Sequence, residues 1–326
     1  MKPLARTALV ALALALALAA GAASAQSPAW PTKPIRIVTP YAAGGPGDDT
    51  ARMVADGLAK ALGQPVIVDN KPGAGGIIGA DLVAKAPADG YTLLAAANGT
   101  LINSLIRGKM PYAAGDLVPV TGVSASPSLL VVDPSLQATN MKQLQALARA
   151  EPRGLFFATT GIGSTSHFSG ELIKAALGAP LTFVQYKSGG ESSAALHSGQ
   201  VQMLSEVPSA SLVALVQAGK MRALAVASDH RLAALPEVPT TVEAGFPTIR
   251  MTHWLGLMAP KGTPPVVLDR INAAVQKFIS TPEQRQFVAQ RNSEPMLGDR
   301  AAFTRFIDDE NRRLGRLAQE LKIAAE

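Results

Sequence analysis

From Lys33 onward, short apolar runs alternate with longer amphipathic ones, a rhythm that predicts strand and helix in turn around a mainly parallel sheet. Ile35 to Thr39 reads as the first strand, followed by the turn Tyr41-Ala-Ala-Gly-Gly-Pro-Gly-Asp48. Ala51, Val54, Ala55, Leu58 and Leu62 recur at helical spacing and predict a helix from about Asp49 to Leu62. Pro65 to Asp69 is a strand, Lys71 to Gly76 a turn, a helix runs to Lys85, and Tyr91 to Ala96 is a strand after Asp89-Gly90.

Pro111 to Pro119 reads as a linker before strand-like Val120 to Val123 and Leu129 to Val132. Helix Leu144 to Ala150, strand Leu155 to Ala158, helix Ser166 to Leu177, strand Thr182 to Tyr186 and a helix through Ala194 to His197 continue the alternation. Strand Val201 to Leu204, helix Leu212 to Ala218 and strands Ala223 to Ala227 and Trp254 to Ala259 follow. Thr263-Pro-Pro265 opens a helix with proline in its first turn, and Pro282 to Glu326 reads as helical and charged. No repeat of solenoid length is visible.

Glycines and hydroxyls concentrate between a strand and the helix after it, at the sheet edge where open α/β proteins bind ligands. Three such turns share one design: Gly44-Gly-Pro-Gly-Asp-Asp-Thr50, Thr159-Thr-Gly-Ile-Gly-Ser-Thr-Ser-His167 and Ser188-Gly-Gly-Glu-Ser-Ser193. Each presents unpaired backbone N–H groups and a positive dipole end to whatever lies in the turn, as an anion site requires. Each also has a purely structural explanation, since glycine admits positive φ and Ser, Thr and Asp cap helices.

The start of the chain has a different character. Lys2 and Arg6 precede a thirteen-residue Ala/Leu/Val run, Ala8 to Ala20, and Ala23-Ser24-Ala25 supplies the small residues of a cleavage site. The run is short of the ~20 residues of a membrane span. Residues 1–25 are therefore expected to be a signal peptide whose removal leaves a soluble periplasmic protein beginning near Gln26. With no cysteine, neither disulfides nor a lipid anchor at the cleavage site is available. The formal charge of +6 is scattered, and with 5% aromatic residues nothing resembles a nucleic-acid surface.

Enzymatic readings find little support. In Gly73-Ala-Gly-Gly-Ile-Ile-Gly79 the third glycine falls one place late for a dinucleotide fingerprint, and the strand after it ends at Ala96-Ala97-Asn98 without a ribose-binding acid. No GxxxxGK[ST] loop exists, and no GxSxG elbow surrounds a serine, although Ser164, Ser166 and His167 lie close together. His167, His197, His230 and His253 are isolated from one another, which argues against a metal site and for structural roles. Trp30, Met203 and Trp254 read as packing residues.

The stretches Trp30-Pro-Thr-Lys-Pro-Ile-Arg-Ile-Val-Thr-Pro-Tyr-Ala-Ala-Gly-Gly-Pro46, Asn70-Lys-Pro-Gly-Ala-Gly-Gly-Ile-Ile-Gly-Ala80 and Ala88-Asp-Gly-Tyr-Thr-Leu-Leu94 resemble the receptors of tripartite tricarboxylate transporters, the Bug proteins. Ordered matches continue through Gly161-Ile-Gly-Ser-Thr-Ser-His167, Gly170-Glu-Leu172, Tyr186-Lys187, Gly199-Gln-Val201, Gly219-Lys-Met-Arg-Ala-Leu-Ala225, Pro236-Glu-Val-Pro-Thr240 and Trp254-Leu-Gly-Leu-Met-Ala-Pro260.

The resemblance implies an α/β, two-lobed type II periplasmic-binding-protein fold with the ligand cleft between lobes. Lobe 1 is expected over residues 26–125 and 247–326, lobe 2 over 126–246, with two crossovers as a hinge. It further implies a receptor that delivers a small carboxylate to the subunits of a membrane permease. Carried over residue by residue, the ligand positions are Tyr41, Gly44, Gly45 and Asp48 in lobe 1 and Thr160, Gly161, Ser164, Ser166, His167, Ser188 and Gly189 in lobe 2. Where the family commonly has an Asp after the strand that follows Gly-Gln-Val, this chain has Glu206, one methylene longer. Glu191 departs from the family's small residues; pointing inward it would repel a dianion, whereas at a helix start it is favoured by the dipole. No cofactor, metal or nucleic-acid partner is expected, nor any catalysis, and the protein is expected to be a monomer. A receptor handing its closed form to a signalling partner, and an exported hydrolase, are the alternatives.

Overall fold

A computed structural model describes residues 30–324, so the expected signal peptide, residues 1–25, lies outside the described residues. The first elements are β1 (Ile35–Thr39), α1 (Pro46–Leu62), β2 (Val66–Asn70), α2 (Ile77–Ala84), β3 (Thr92–Ala97), α3 (Asn98–Ile106) and β4 (Leu117–Pro127). The chain continues through β5 (Leu129–Val132), α4 (Met141–Ala150), β6 (Leu155–Thr159), α5 (Thr165–Leu177), β7 (Leu181–Gln185), α6 (Gly189–His197), β8 (Met203–Glu206), α7 (Ala210–Gln217) and β9 (Arg222–Val226). Last come β10 (Thr252–Pro260), α8 (Pro265–Ile279), α9 (Pro282–Ala289), β11 (Glu294–Pro295) and α10 (Arg300–Glu320).

The strands form two sheets, one in the order β11-β4-β10-β3-β1-β2 and one in the order β7-β6-β8-β5-β9. Lobe 1 and lobe 2 below denote the units built on them. Both sheets are mixed rather than mainly parallel. In the first, β1 is parallel to β2 and β3, but β10 lies antiparallel between β3 and β4. In the second, β6 is parallel to β7 and β8, but β5 is antiparallel to β8 and β9. The strand–helix rhythm reports parallel pairing only where a helix returns the chain to the same sheet. β4 instead passes directly into β5 of the other sheet, and β10 re-enters from that side.

Both faces of each sheet are covered, which explains why the strands read as continuous apolar runs. Ile35, Ile37, Leu93 and Ala95 pack on one side of the first sheet with Ala51, Val54, Ala55 and Leu58 of α1. Their alternates Val38, Leu94 and Ala96 pack on the other with Phe303 and Ile307 of α10. In the second sheet Leu130, Val132 and Phe157 face one core and Leu129, Val131 and Ala158 the other. A further core joins the lobes: Phe168 and Leu172 of α5 pack with Ile102 and Ile106 of α3 and Leu314 and Ala318 of α10.

The two passages between sheets run side by side. The Ser128 N–H donates to Met251 O at 2.9 Å, the Ala227 N–H donates to Ser128 O at 2.8 Å, and Ser128 Oγ bonds His253 Nε2 at 2.7 Å. Four expectations are corrected here. Helix α3 was not anticipated; β4 already begins at Leu117 inside the expected linker; and β8 sits two residues later than Val201 to Leu204. The continuous helix expected from Pro282 is broken after α9 by Asn292 at φ 52° and by β11.

Candidate functional site

In lobe 1, the turn after β1 is organised by Asp48, which is buried. One carboxylate oxygen accepts the Gly44 N–H at 2.9 Å and Arg52 Nε at 2.9 Å, and the other accepts Asn70 Nδ2 at 2.8 Å. Asn70 Nδ2 also donates to Tyr41 O at 3.0 Å. Burial pushes the Asp48 pKa up, but the hydrogen bonds from Arg52, Gly44 and Asn70 outweigh it and hold the carboxyl below its ordinary range. Both oxygens of Asp48 thereby brace the turn. Gly44 sits at φ +80°, where a side chain would be strained. Gly45 precedes α1 in extended conformation, and the Tyr41 ring lies against Gly47, where a Cβ would come within 2.6 Å of it.

In lobe 2, three loops converge at the carboxyl edge of β6, β7 and β8. Ser164 caps α5, accepting the His167 N–H at 3.1 Å. Ser166 Oγ accepts the Thr160 N–H at 2.9 Å and shares hydrogen bonds with Thr160 Oγ1 at 3.0 Å and Ser164 Oγ at 3.1 Å. Gly161 holds φ +106° at the tip of this loop. Ser188 caps α6, accepting the Glu191 N–H at 3.2 Å while Glu191 Oε2 accepts the Lys187 N–H at 3.0 Å. Glu191 is thus an exposed helix-start acid whose side chain ties back to the residue before the cap.

Glu206 ends β8 between these loops. Ser166 and the Val207 N–H lie near its carboxyl group, and a Cβ on Gly189 would lie 3.5 Å from its Oε2. Its Oε1 is enclosed and has no hydrogen-bond partner. Burial, the largest influence, pushes its pKa up to about 7 against the lowering effect of the nearby Ser166 hydroxyl and Val207 N–H. His167 is turned away into packing, edge-on to Phe183 at 5.2 Å between ring centres, with its Nδ1 buried and unpartnered. Burial lowers its pKa, with Lys174 adding to this and Glu171 opposing it. The ring is therefore neutral at neutral pH.

The structure thus gathers Thr160, Ser164, Ser166, Gly189 and Glu206 around one another, with Gly161 and Ser188 on the same loops, and gathers Tyr41, Gly44, Gly45 and Asp48 into a separate turn of lobe 1. Sequence reasoning missed two asparagines of α3. Asn103 of α3 donates to Gly75 O at 2.9 Å and faces Gly163 of lobe 2, where a Cβ would come within 2.8 Å of its Oδ1. Asn98 is clamped to β10 in both directions, donating to Thr252 O at 2.8 Å and accepting the Trp254 N–H at 3.0 Å. The signal was present in Leu101, Ile102, Leu105 and Ile106, spaced for one helix face.

The turn that faintly resembled a dinucleotide fingerprint has a packing explanation: a Cβ on Gly79 would meet Lys71 O at 3.2 Å and the Pro40 Cα at 3.4 Å. Among the described residues no group of three His, Asp or Glu side chains could hold a metal ion, and no helix is long and apolar enough to cross a membrane.

Residues 50–323 match the sequence profile of the tripartite tricarboxylate transporter family receptor. BugT of Bordetella pertussis is 33% identical over 295 residues, covering 89% of this chain and 90% of BugT. Among solved structures, R. palustris Rpa4515 with adipate superposes with a TM-score of 0.82 at 34% identity, covering 90% of this chain and 99% of that one. MatC from Rhodopseudomonas palustris with bound malate gives 0.79 at 29% identity, covering 88% and 99%.

Proposed function

The chain belongs to the tripartite tricarboxylate transporter receptor family, and on that premise we propose that it is a solute-binding receptor which closes its lobes around a small carboxylate and hands it to a membrane permease. The observation that carries this reading is the hydroxyl cluster Thr160–Ser164–Ser166 at the start of α5, beside the start of α6. Helix-start N–H groups and neutral hydroxyls hold an anion without an ion pair. A carboxylate bound this way can be released to a permease by modest lobe opening. Rpa4515 and MatC, with adipate and malate bound, point to the same ligand class.

The chain departs from hydrolase geometry in a specific way. Among the described residues the Ser–His pair at hydrogen-bond distance is Ser128–His253, and Ser128 is sealed inside the passage between sheets. The proposed role is binding without turnover, with the two passages at Ser128 and Met251 serving as the hinge. Export places the receptor in the periplasm, its mature chain starting near Gln26.

A thermal-shift screen of mono-, di- and tricarboxylates, acidic amino acids and sugars tests the reading. A ligand at a hundred times its Kd adds about 2.7 kcal/mol to native stability, so one or more carboxylates are expected to raise Tm clearly. Stabilisation by sugars alone would remove the carboxylate assignment.

A further inference from the structure

Glu206 ends β8 between the lobe 2 loops, near Ser166 of the β6–α5 loop and beside Gly189 at the start of α6. Among the described residues no basic side chain forms an ion pair with it. On α5, Glu171 and Lys174 pair with each other at 3.2 Å. His167 of α5 packs on Phe183, Glu191 of α6 caps the Lys187 N–H, Lys187 itself lies before α6, and β5 places Leu129 opposite. An ionised carboxylate here leaves Oε1 enclosed and unpaired, which is costly. A second carboxylate brought in by the ligand compounds the cost, because two close carboxyls without a cation do not both stay ionised.

We infer that Glu206 is the specificity-determining residue of the receptor: as an uncharged acid it donates a hydrogen bond to a ligand carboxylate oxygen, so that binding is coupled to the uptake of one proton. The inference rests on the carboxylate-receptor reading above. The proton comes from solvent and binds Oε1, no covalent bond changes in the ligand, and the ligand carboxylate oxygen that accepts this O–H becomes the partner that Oε1 lacks. Burial, which already favours the protonated form of Glu206, acts in the same direction. A shorter side chain would end one methylene earlier, so the glutamate also selects for reach.

The test is isothermal titration of the wild-type protein with adipate and malate as probes between pH 6.5 and 8.5, where aliphatic carboxylates are ionised. The buried His167 and His253 do not interfere, since burial pushes both pKa values below the ordinary imidazole range. For a probe that binds, Kd is expected to rise about eightfold from pH 7.5 to 8.5, the slope set by one acid titrating near neutrality. Titrations at pH 8 in buffers of different ionisation enthalpy should report uptake of about one proton per ligand. Glu206→Gln, which keeps a donor that cannot ionise, should bind with a pH-independent Kd and no proton uptake. The wild-type proton count stands even if that variant fails to fold. Wild-type binding that is flat with pH, or that tightens as pH rises, overturns the inference and leaves the receptor reading intact. Absence of binding by every carboxylate in the thermal-shift screen removes the receptor reading itself.

Discussion

Replacing Asp48 with asparagine changes one oxygen to an amide and tests whether this residue builds the lobe 1 turn or touches the ligand. The buried carboxylate accepts three donors, Gly44 N–H and Arg52 Nε on one oxygen and Asn70 Nδ2 on the other. In Asp48→Asn one of those positions becomes a donor facing a donor. If the new amide faces Asn70, that side chain must flip, which withdraws its bond to Tyr41 O and the acceptor it offers Arg52 at 3.1 Å. Arg52 is half-exposed and can turn to water, so its share of the loss is small. The remaining cost, one charge-assisted bond and one orphaned buried donor, is about 2–4 kcal/mol. Urea unfolding at an unchanged m-value measures it. The Asp48 pKa is lowered on folding, so its contribution is present above the ordinary carboxylate pKa and lost as pH falls through the folded value. The gap between wild type and variant should therefore narrow in acid. A loss below about 0.5 kcal/mol would refute the bracing role. Carboxylate affinity falling steeply at unchanged stability would make Asp48 a ligand contact instead.

Three further outcomes follow from the same contacts. Asn98→Ala leaves the Trp254 N–H and Thr252 O unpaired beside the passage between sheets and should cost about 2–3 kcal/mol by urea unfolding. Phe168→Ala opens a cavity in the core shared by the lobes and should cost about 3–5 kcal/mol; a loss under about 1 kcal/mol would mean that the lobes part in solution. Burial lowers the His253 pKa from 6.5 to about 4, so the unfolded chain takes up the proton first and stability should fall as pH drops from 6.5 to 4, by at most about 3 kcal/mol. Glu206 opposes this, because its raised pKa gives stability below 4.5 that is lost as pH rises through about 7. Each slope should emerge in unfolding curves of the variant lacking the other group, His253→Gln or Glu206→Gln.

Much of this architecture is legible in the chain because its strands are covered on both faces and its helices are amphipathic. Ala51, Val54, Ala55 and Leu58, picked out by spacing, are the residues of α1 that meet the first sheet. The capping serines Ser164 and Ser188 were likewise visible as hydroxyls before apolar helices. What escaped was non-local. β10 inserts antiparallel between β3 and β4 from a distant part of the chain, and no local pattern encodes that partner. Helix α3 lacks a side-chain cap, and its apolar face packs partly on the other lobe. The candidate site divides the same way. Glycine and hydroxyl content marked the loops, but whether Asp48 and Glu191 serve the ligand or their own turns depends on the local partners Arg52 and Lys187 and on Asn70, which only the fold brings to Asp48.

The most direct measurement is a crystal structure of the protein with a carboxylate from the thermal-shift screen bound. The ligand carboxylate is expected between the lobes, within hydrogen-bond distance of the Thr160 and Ser166 hydroxyls and of backbone N–H groups in the Gly44–Gly45 turn, with Glu206 contacting the ligand. A ligand seated away from these loops, or one held there without a carboxylate, would contradict the account.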